Sequence, residues 1–162
     1  VYTKDNDEYL RKSFEGNYDT QGVPFMEAMC SNYSANITIY GHNVYYDSTA
    51  KFSPLEKLTD DKNVEDNRFV LFYLNEECRK YEVIAVLYIT SEETEEMNYA
   101  QPSFVTAKQK GEWIQFMMRK NLIHAETEPS PFDNFLTLQT CRKWNDNEHL
   151  LVICREVQRD SY

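Results

Sequence analysis

Two side chains capable of nucleophilic chemistry sit at the ends of apolar stretches. Leu136-Thr137-Leu138-Gln139-Thr140-Cys141 reads as a strand ending in a thiol. Far upstream, Ile37-Thr38-Ile39-Tyr40-Gly41-His42-Asn43 reads as a strand ending in an imidazole. A thiol attacks carbonyl carbon as the thiolate, and a neighbouring histidine exchanges the proton, so a strand-end Cys and a strand-end His form a candidate nucleophile and acid/base pair. Gly41 beside the histidine permits close backbone approach. The plain alternatives are a buried structural cysteine and a loop histidine with a satisfied hydrogen bond.

The other histidines and cysteines frame this pair. His149 opens the apolar run Leu150-Leu151-Val152-Ile153-Cys154, so it too lies at a strand end, whereas His124 falls after a helix. Cys141, His149 and Cys154 are close in sequence, but the odd offset from 149 to 154 turns the last two to opposite faces of a strand. The four cysteines, Cys30, Cys78, Cys141 and Cys154, have no CxxC spacing. No metal site and no cofactor is expected from them, and nothing in the spacing demands disulfides.

Elements must hold these groups in place. Asn36–Tyr40, Arg68–Leu74, Lys80–Thr90, Phe135–Cys141 and Leu150–Val157 have strand character, and Val23–Met29 is a weaker candidate. The short Asn75-Glu76-Glu77-Cys78 connection makes the second and third a hairpin. Val70, Phe72 and Leu74 share one face, Leu71 and Tyr73 the other; two apolar faces suggest a central strand or a closed barrel. Pro102 precedes a helix over Ser103–Lys120 with Ser103 as its cap. Trp113, Phe116 and Met117 form its apolar stripe, and Gly111 is a point where it can split. Asp5–Phe14 reads as a helical turn with Tyr9, Leu10 and Phe14 facing a core, and Pro54–Leu58 as one or two helical turns. Glu15–Gly22, Tyr45–Phe52 and Glu126–Asn134 read as loops. The acidic clusters Asp60–Asp66 and Ser91–Glu96 read as solvated loop. The sum is one β-rich α+β domain.

Composition sets outer limits. The chain has 162 residues, 12 Tyr, 9 Phe, only 4 Gly, and a net charge of −10. That supports one packed core and argues against nucleic-acid phosphates and anionic membrane surfaces as partners. No apolar run approaches the roughly 20 residues that span a bilayer. No signal peptide is visible, and the opening Val1-Tyr2-Thr3 suggests a mature or trimmed fragment.

Thr137–Cys141 as TLxTC, together with strand-end Gly41-His42-Asn43, resembles the sortases. The Lys4–Leu10 segment and the helix before the last two strands resemble class B in particular. The resemblance implies a sortase-like closed β-barrel over residues 1–162, with short peripheral helices and one longer helix before the last two strands. The N-terminal helices and first strand of that class would lie outside these residues. It implies that Cys141 attacks a threonine carbonyl in a cell-wall sorting signal, that His42 protonates the leaving amine, and that an amine resolves the thioacyl-enzyme. The implied partners are the sorting-signal peptide of a surface or pilin protein and an amine acceptor on peptidoglycan or a pilin. The implied place is the outer face of the plasma membrane of a Gram-positive bacterium, with membrane contact only through an anchor upstream. Some sortases are modulated by calcium, but the chemistry needs no metal. By the same resemblance Asn6, Leu10, Tyr40, Gln139, Thr140 and Arg142 line the peptide groove, with Gln139 where class B often has serine.

One position departs from the pattern. Sortases carry an arginine at the start of the last strand, where it steadies the oxyanion. Aligning Leu150–Ile153 with the apolar run that follows puts His149 in that place. Arg155 lies about 20 Å further along the strand, too far to substitute. Arg142 adjoins the cysteine. The expected outcomes are a slow enzyme, an enzyme using His149 as donor, or a peptide-binding module without turnover; a thiol hydrolase of the same peptide is the remaining alternative.

Overall fold

The computed structural model describes residues 1–74, 77–142 and 145–161. Six strands form one mixed sheet: β1 Phe25–Met26, β2 Asn36–Tyr40, β3 Phe69–Leu74, β4 Glu77–Thr90, β5 Phe135–Arg142 and β6 Asn145–Ser161. Their order across the sheet is β1-β2-β5-β6-β4-β3. Only β2 and β5 run parallel. The long segment between them carries the rest of the molecule, as a parallel pair requires. Three short helices, α1 Asp61–Asp66, α2 Ser91–Glu96 and α3 Ala107–Arg119, and a 3-10 helix at Ser53–Thr59 lie outside the sheet.

Strand alternation divides the core in two. Ile37, Leu136, Leu138, Leu150, Val152 and Cys154 belong to one buried cluster, which Met26 from β1 joins at one edge of the sheet and Val70, Phe72 and Leu74 from β3 at the other. Opposite edges reach a common cluster only because the sheet curls. Irregularities in β4 at Lys80/Tyr81 and Val83/Ala85 supply the bends. Among the described residues the strand order ends at β1 and β3 without pairing them, so the sheet is a half-barrel rather than a ring closed by hydrogen bonds. On the outer face Leu87, Ile89, Leu151 and Ile153 pack against Trp113, Phe116 and Met117 of α3. Trp113 sits between Phe104 and Phe135, with ring centroids 5.6 and 5.3 Å away.

Several sequence expectations need correction. β3 is an edge strand, not a central one: Phe69, Leu71 and Tyr73 are 48, 53 and 64 % exposed. α3 starts three residues later than expected, because the Thr106 hydroxyl, not Ser103, accepts from Gln109 N. Gly111 does not split it; only the Pro131 side chain comes near. The acidic clusters are helices rather than loops. Thr90 and Glu93 form a reciprocal capping box on α2, and the Asp60 carboxylate caps α1, whose Val64 is buried. Within Val23–Met29 only Phe25 and Met26 pair. Residues 5–14 form turns rather than a helix, and Phe14 is 71 % exposed. The middle of the expected 75–78 turn lies outside the described residues. β6 is longer than its apolar run because Gln158–Ser161 continue the ladder with β4.

Candidate active site

Cys141 and His149 are direct cross-strand partners in the β5–β6 ladder. Opposed residues on antiparallel strands share a face with Cβ atoms about 4.5–5.5 Å apart. That face also carries Gln139 opposite Leu151 on β6 and, across the parallel pair, opposite Tyr40 on β2. Cys141, His149, Gln139 and Tyr40 thus form one patch above the α3 layer. Cys141 is half-buried and lies outside any disulfide.

His42 reaches this patch along the parallel neighbour of β5. Gly41 N donates to Gln139 O at 3.0 Å, and the Asn43 side chain donates to Cys141 O at 3.0 Å. The turn that bears His42 is therefore stitched to the strand end that bears Cys141. A side chain at 41 is excluded, since an added Cβ would lie 2.6 Å from the Phe52 ring. His42 Nε2 lies 2.7 Å from Leu10 O. A carbonyl only accepts, so Nε2 carries a hydrogen and the neutral ring keeps Nδ1 as its basic nitrogen. The Leu10 carbonyl holds its place because Gly22, at φ +55°, lets the chain pass beneath it; a Cβ there would be 2.5 Å from Leu10 O.

Burial lowers the pKa of His149 below the ordinary histidine value, so at neutral pH the ring is uncharged. Its Nδ1 is buried without a partner among the described residues. The ring therefore brings a single N–H to the site.

The remaining residues expected in the groove divide. Asn6 and Tyr40 meet at a carboxylate that sequence reasoning missed: buried Glu27 accepts from Asn6 Nδ2 at 2.6 Å and from the Tyr40 hydroxyl at 2.5 Å. Tyr99, also missed, lies alongside. Burial raises its pKa first, the Glu27 charge adds to this, a Tyr40 hydrogen bond opposes it, and the Cys141 charge adds again. Glu27, Tyr40, Asn98 and Tyr99 line a cavity of about 180 Å³. Leu10 enters the site through its backbone. His42, Asn43, Gln21 and Tyr46 border a second cavity of about 230 Å³. Thr140 and Arg142 are not brought to this face. Thr140 is fully buried opposite Leu150 of the inner cluster. Arg142 stacks 4.2 Å above the Tyr88 ring and pairs with Glu148. Arg155 lies far down β6 opposite Phe135, bonded to Glu82 at 3.0 Å. Cys154 points into the inner cluster, away from Cys141 and His149, and no group of potential metal ligands occurs among the described residues.

A curled sheet that presents a thiol and an imidazole on neighbouring parallel strand ends defines a cysteine-dependent acyl-transfer site. A family model described as the sortase domain matches residues 1–157, and the chain belongs to the sortase family, whose enzymes are cysteine transpeptidases. Sortase B of Staphylococcus aureus is 24% identical over 157 residues, which cover 95% of this chain and 62% of that protein. The chain thus spans less than two thirds of that relative's length. The crystal structure of Clostridium perfringens sortase B superposes with a TM-score of 0.88 at 23% identity, covering 98% of this chain and 85% of that one. The Staphylococcus aureus sortase B–substrate complex gives 0.87 at 21%, covering 98% and 72%. The class B resemblance read from the sequence agrees with these comparisons.

Proposed function

We propose that this chain is the catalytic part of a class B sortase that cleaves a sorting signal and transfers the acyl part to an amine. The observation that carries the reading is the Cys141–His149 cross-strand pair with the His42 turn stitched to the same strand end. The Cys141 thiolate attacks a threonine carbonyl, forming a C–S bond. As the peptide C–N bond breaks, His42 gives its proton to the departing amine. The incoming amine then loses a proton to His42, forms the new C–N bond and releases the thiolate. His149 donates its one N–H toward the oxyanion, a weaker hold than a charged bidentate arginine.

The sorting peptide lies on the Tyr40–Tyr99 side, where Asn6 and Glu27 form a polar wall. The amine enters from the cavity beside His42. A staphylococcal sortase B has been crystallised with triglycine, which supports a glycine-type amine as the first acceptor to try. Peptidoglycan and a pilin lysine both offer such an amine. The same reading includes a fully closed barrel in the whole protein and a position on the outer surface of a Gram-positive cell. Mixing the chain with the peptide substrate of Staphylococcus aureus sortase B, with and without triglycine, tests it: a ligated product supports transfer, and hydrolysis alone supports the thiol-hydrolase alternative. A second reading, binding without turnover, is favoured by the neutral His149 where the family carries a charged donor. It predicts peptide binding with no covalent adduct.

A further inference from the structure

Behind Cys141, on the face turned away from the groove, lies a polar group of five side chains: Asn43, Glu56, Tyr88, Arg142 and Glu148. Asn43 Nδ2 donates to both Cys141 O at 3.0 Å and Glu56 Oε1 at 3.1 Å. The other carboxylate oxygen, Glu56 Oε2, accepts from the Tyr88 hydroxyl at 3.4 Å. Arg142 covers the Tyr88 ring and pairs with Glu148. These residues adjoin the chemistry in sequence while pointing away from it. Asn43 follows His42, Arg142 follows Cys141, and Glu148 precedes His149.

The 3-10 helix Ser53–Thr59 brings Glu56 to this place. Its start is fixed by Phe52 N donating to His42 O at 3.1 Å and by the buried Ser53 hydroxyl accepting from Val44 N at 2.7 Å. The turn that carries His42 therefore also sets Glu56. Bonds from an amide to a carboxylate are stronger than those between neutral groups. The Glu56 charge also adds to burial in raising the pKa of Tyr88, so that hydroxyl keeps its proton and remains a donor.

We propose that Glu56 is a positioning residue, acting through Asn43 to hold the Cys141 backbone against the His42 turn. This rests on Cys141 and His42 being the reacting pair. Misplacement of reacting groups by about 1 Å costs on the order of 10²-fold in rate, so a loosened clamp acts on turnover far more than on binding.

The first test is the pH profile of Cys141 alkylation by iodoacetamide, read site by site by mass spectrometry, which needs no substrate. The wild-type profile should show thiolate character at neutral pH from the neighbouring imidazole. Glu56→Ala and Asn43→Ala should each slow alkylation at pH 7 about tenfold and move the profile toward an ordinary thiol. Glu56→Gln, which keeps an acceptor for Asn43, should follow wild type. The double variant should be no worse than either single one, because both break one chain of contacts. With the staphylococcal peptide and triglycine, kcat of Glu56→Ala should fall about tenfold while KM moves less than about threefold. An alkylation profile unchanged in a folded Glu56→Ala, or losses that add in the double variant, would overturn the proposal. Wild-type alkylation of this kind without any peptide turnover would instead count against the transpeptidase reading and leave the clamp to be judged on alkylation.

Discussion

His149 stands directly across the β5–β6 ladder from Cys141, with Ile89 opposite it on its other flank. The position where sortases place a permanently charged arginine thus holds a neutral ring beside an apolar neighbour. Exchange there tests the oxyanion role. His149→Ala should slow thioacyl formation, by up to about 10²–10³-fold if its N–H is the main oxyanion donor. His149→Arg should raise the rate above wild type, because a charge-assisted bond replaces a neutral one. Single-turnover rates with the staphylococcal peptide measure both. Equal rates for His and Ala would remove His149 from the mechanism.

Stability should depend on pH through the same ring. Burial lowers its folded-state pKa below the ordinary 6.5, so the unfolded chain binds a proton more readily. Stability from keeping His149 neutral is then complete above that value and is lost as pH falls through it. Urea midpoints between pH 8 and pH 5 should fall more steeply for wild type than for His149→Gln. Parallel curves would mean that the ring titrates as it does in water.

Gly22→Ala should disturb His42 from a distance. The left-handed backbone alone costs about 1–2 kcal/mol with a side chain present, and the new Cβ would press on Leu10 O. The Leu10 carbonyl then releases His42 Nε2. The expected result is a lower melting temperature together with a loss of kcat. A drop in stability without any change in kcat per folded molecule would show that the Leu10 contact does not orient the ring.

Glu27→Ala removes the acceptor shared by Asn6 and Tyr40. Leaving two such donors unpaired costs about 1–3 kcal/mol. The groove wall then loosens, so KM for the peptide should rise more than kcat falls. Steady-state kinetics separate the two, and a pure kcat effect would argue that Glu27 lies outside the peptide path.

Much of this arrangement was legible in the chain. Long apolar runs marked β4, β5 and β6, because strands buried on both faces need no alternation. The edge position of β3 was hidden for the same reason: its exposed Phe69, Leu71 and Tyr73 look like core residues in sequence. The two acidic helices were missed because charge clusters resemble loops, although Thr90-Ser91-Glu92-Glu93 carries a capping-box pattern. Thr106 with Gln109 gave the same signal at the start of α3. In the site, strand register alone placed Cys141 and His149 together, so a motif sufficed. Thr140 and Arg142 were expected in the groove from adjacency, yet alternation turns residues next to Cys141 to the other face. Glu27, Glu56 and Tyr99 come from separate segments, and no local pattern joins them to the thiol.

The most direct test is the intact mass of the protein after incubation with the peptide substrate of Staphylococcus aureus sortase B. The account predicts a covalent acyl adduct that maps to Cys141, discharges on adding triglycine, and is absent in Cys141→Ala. In that variant the fold should persist, since the side chain is half-buried and small. An adduct on another cysteine, or peptide cleavage retained in Cys141→Ala, would contradict it.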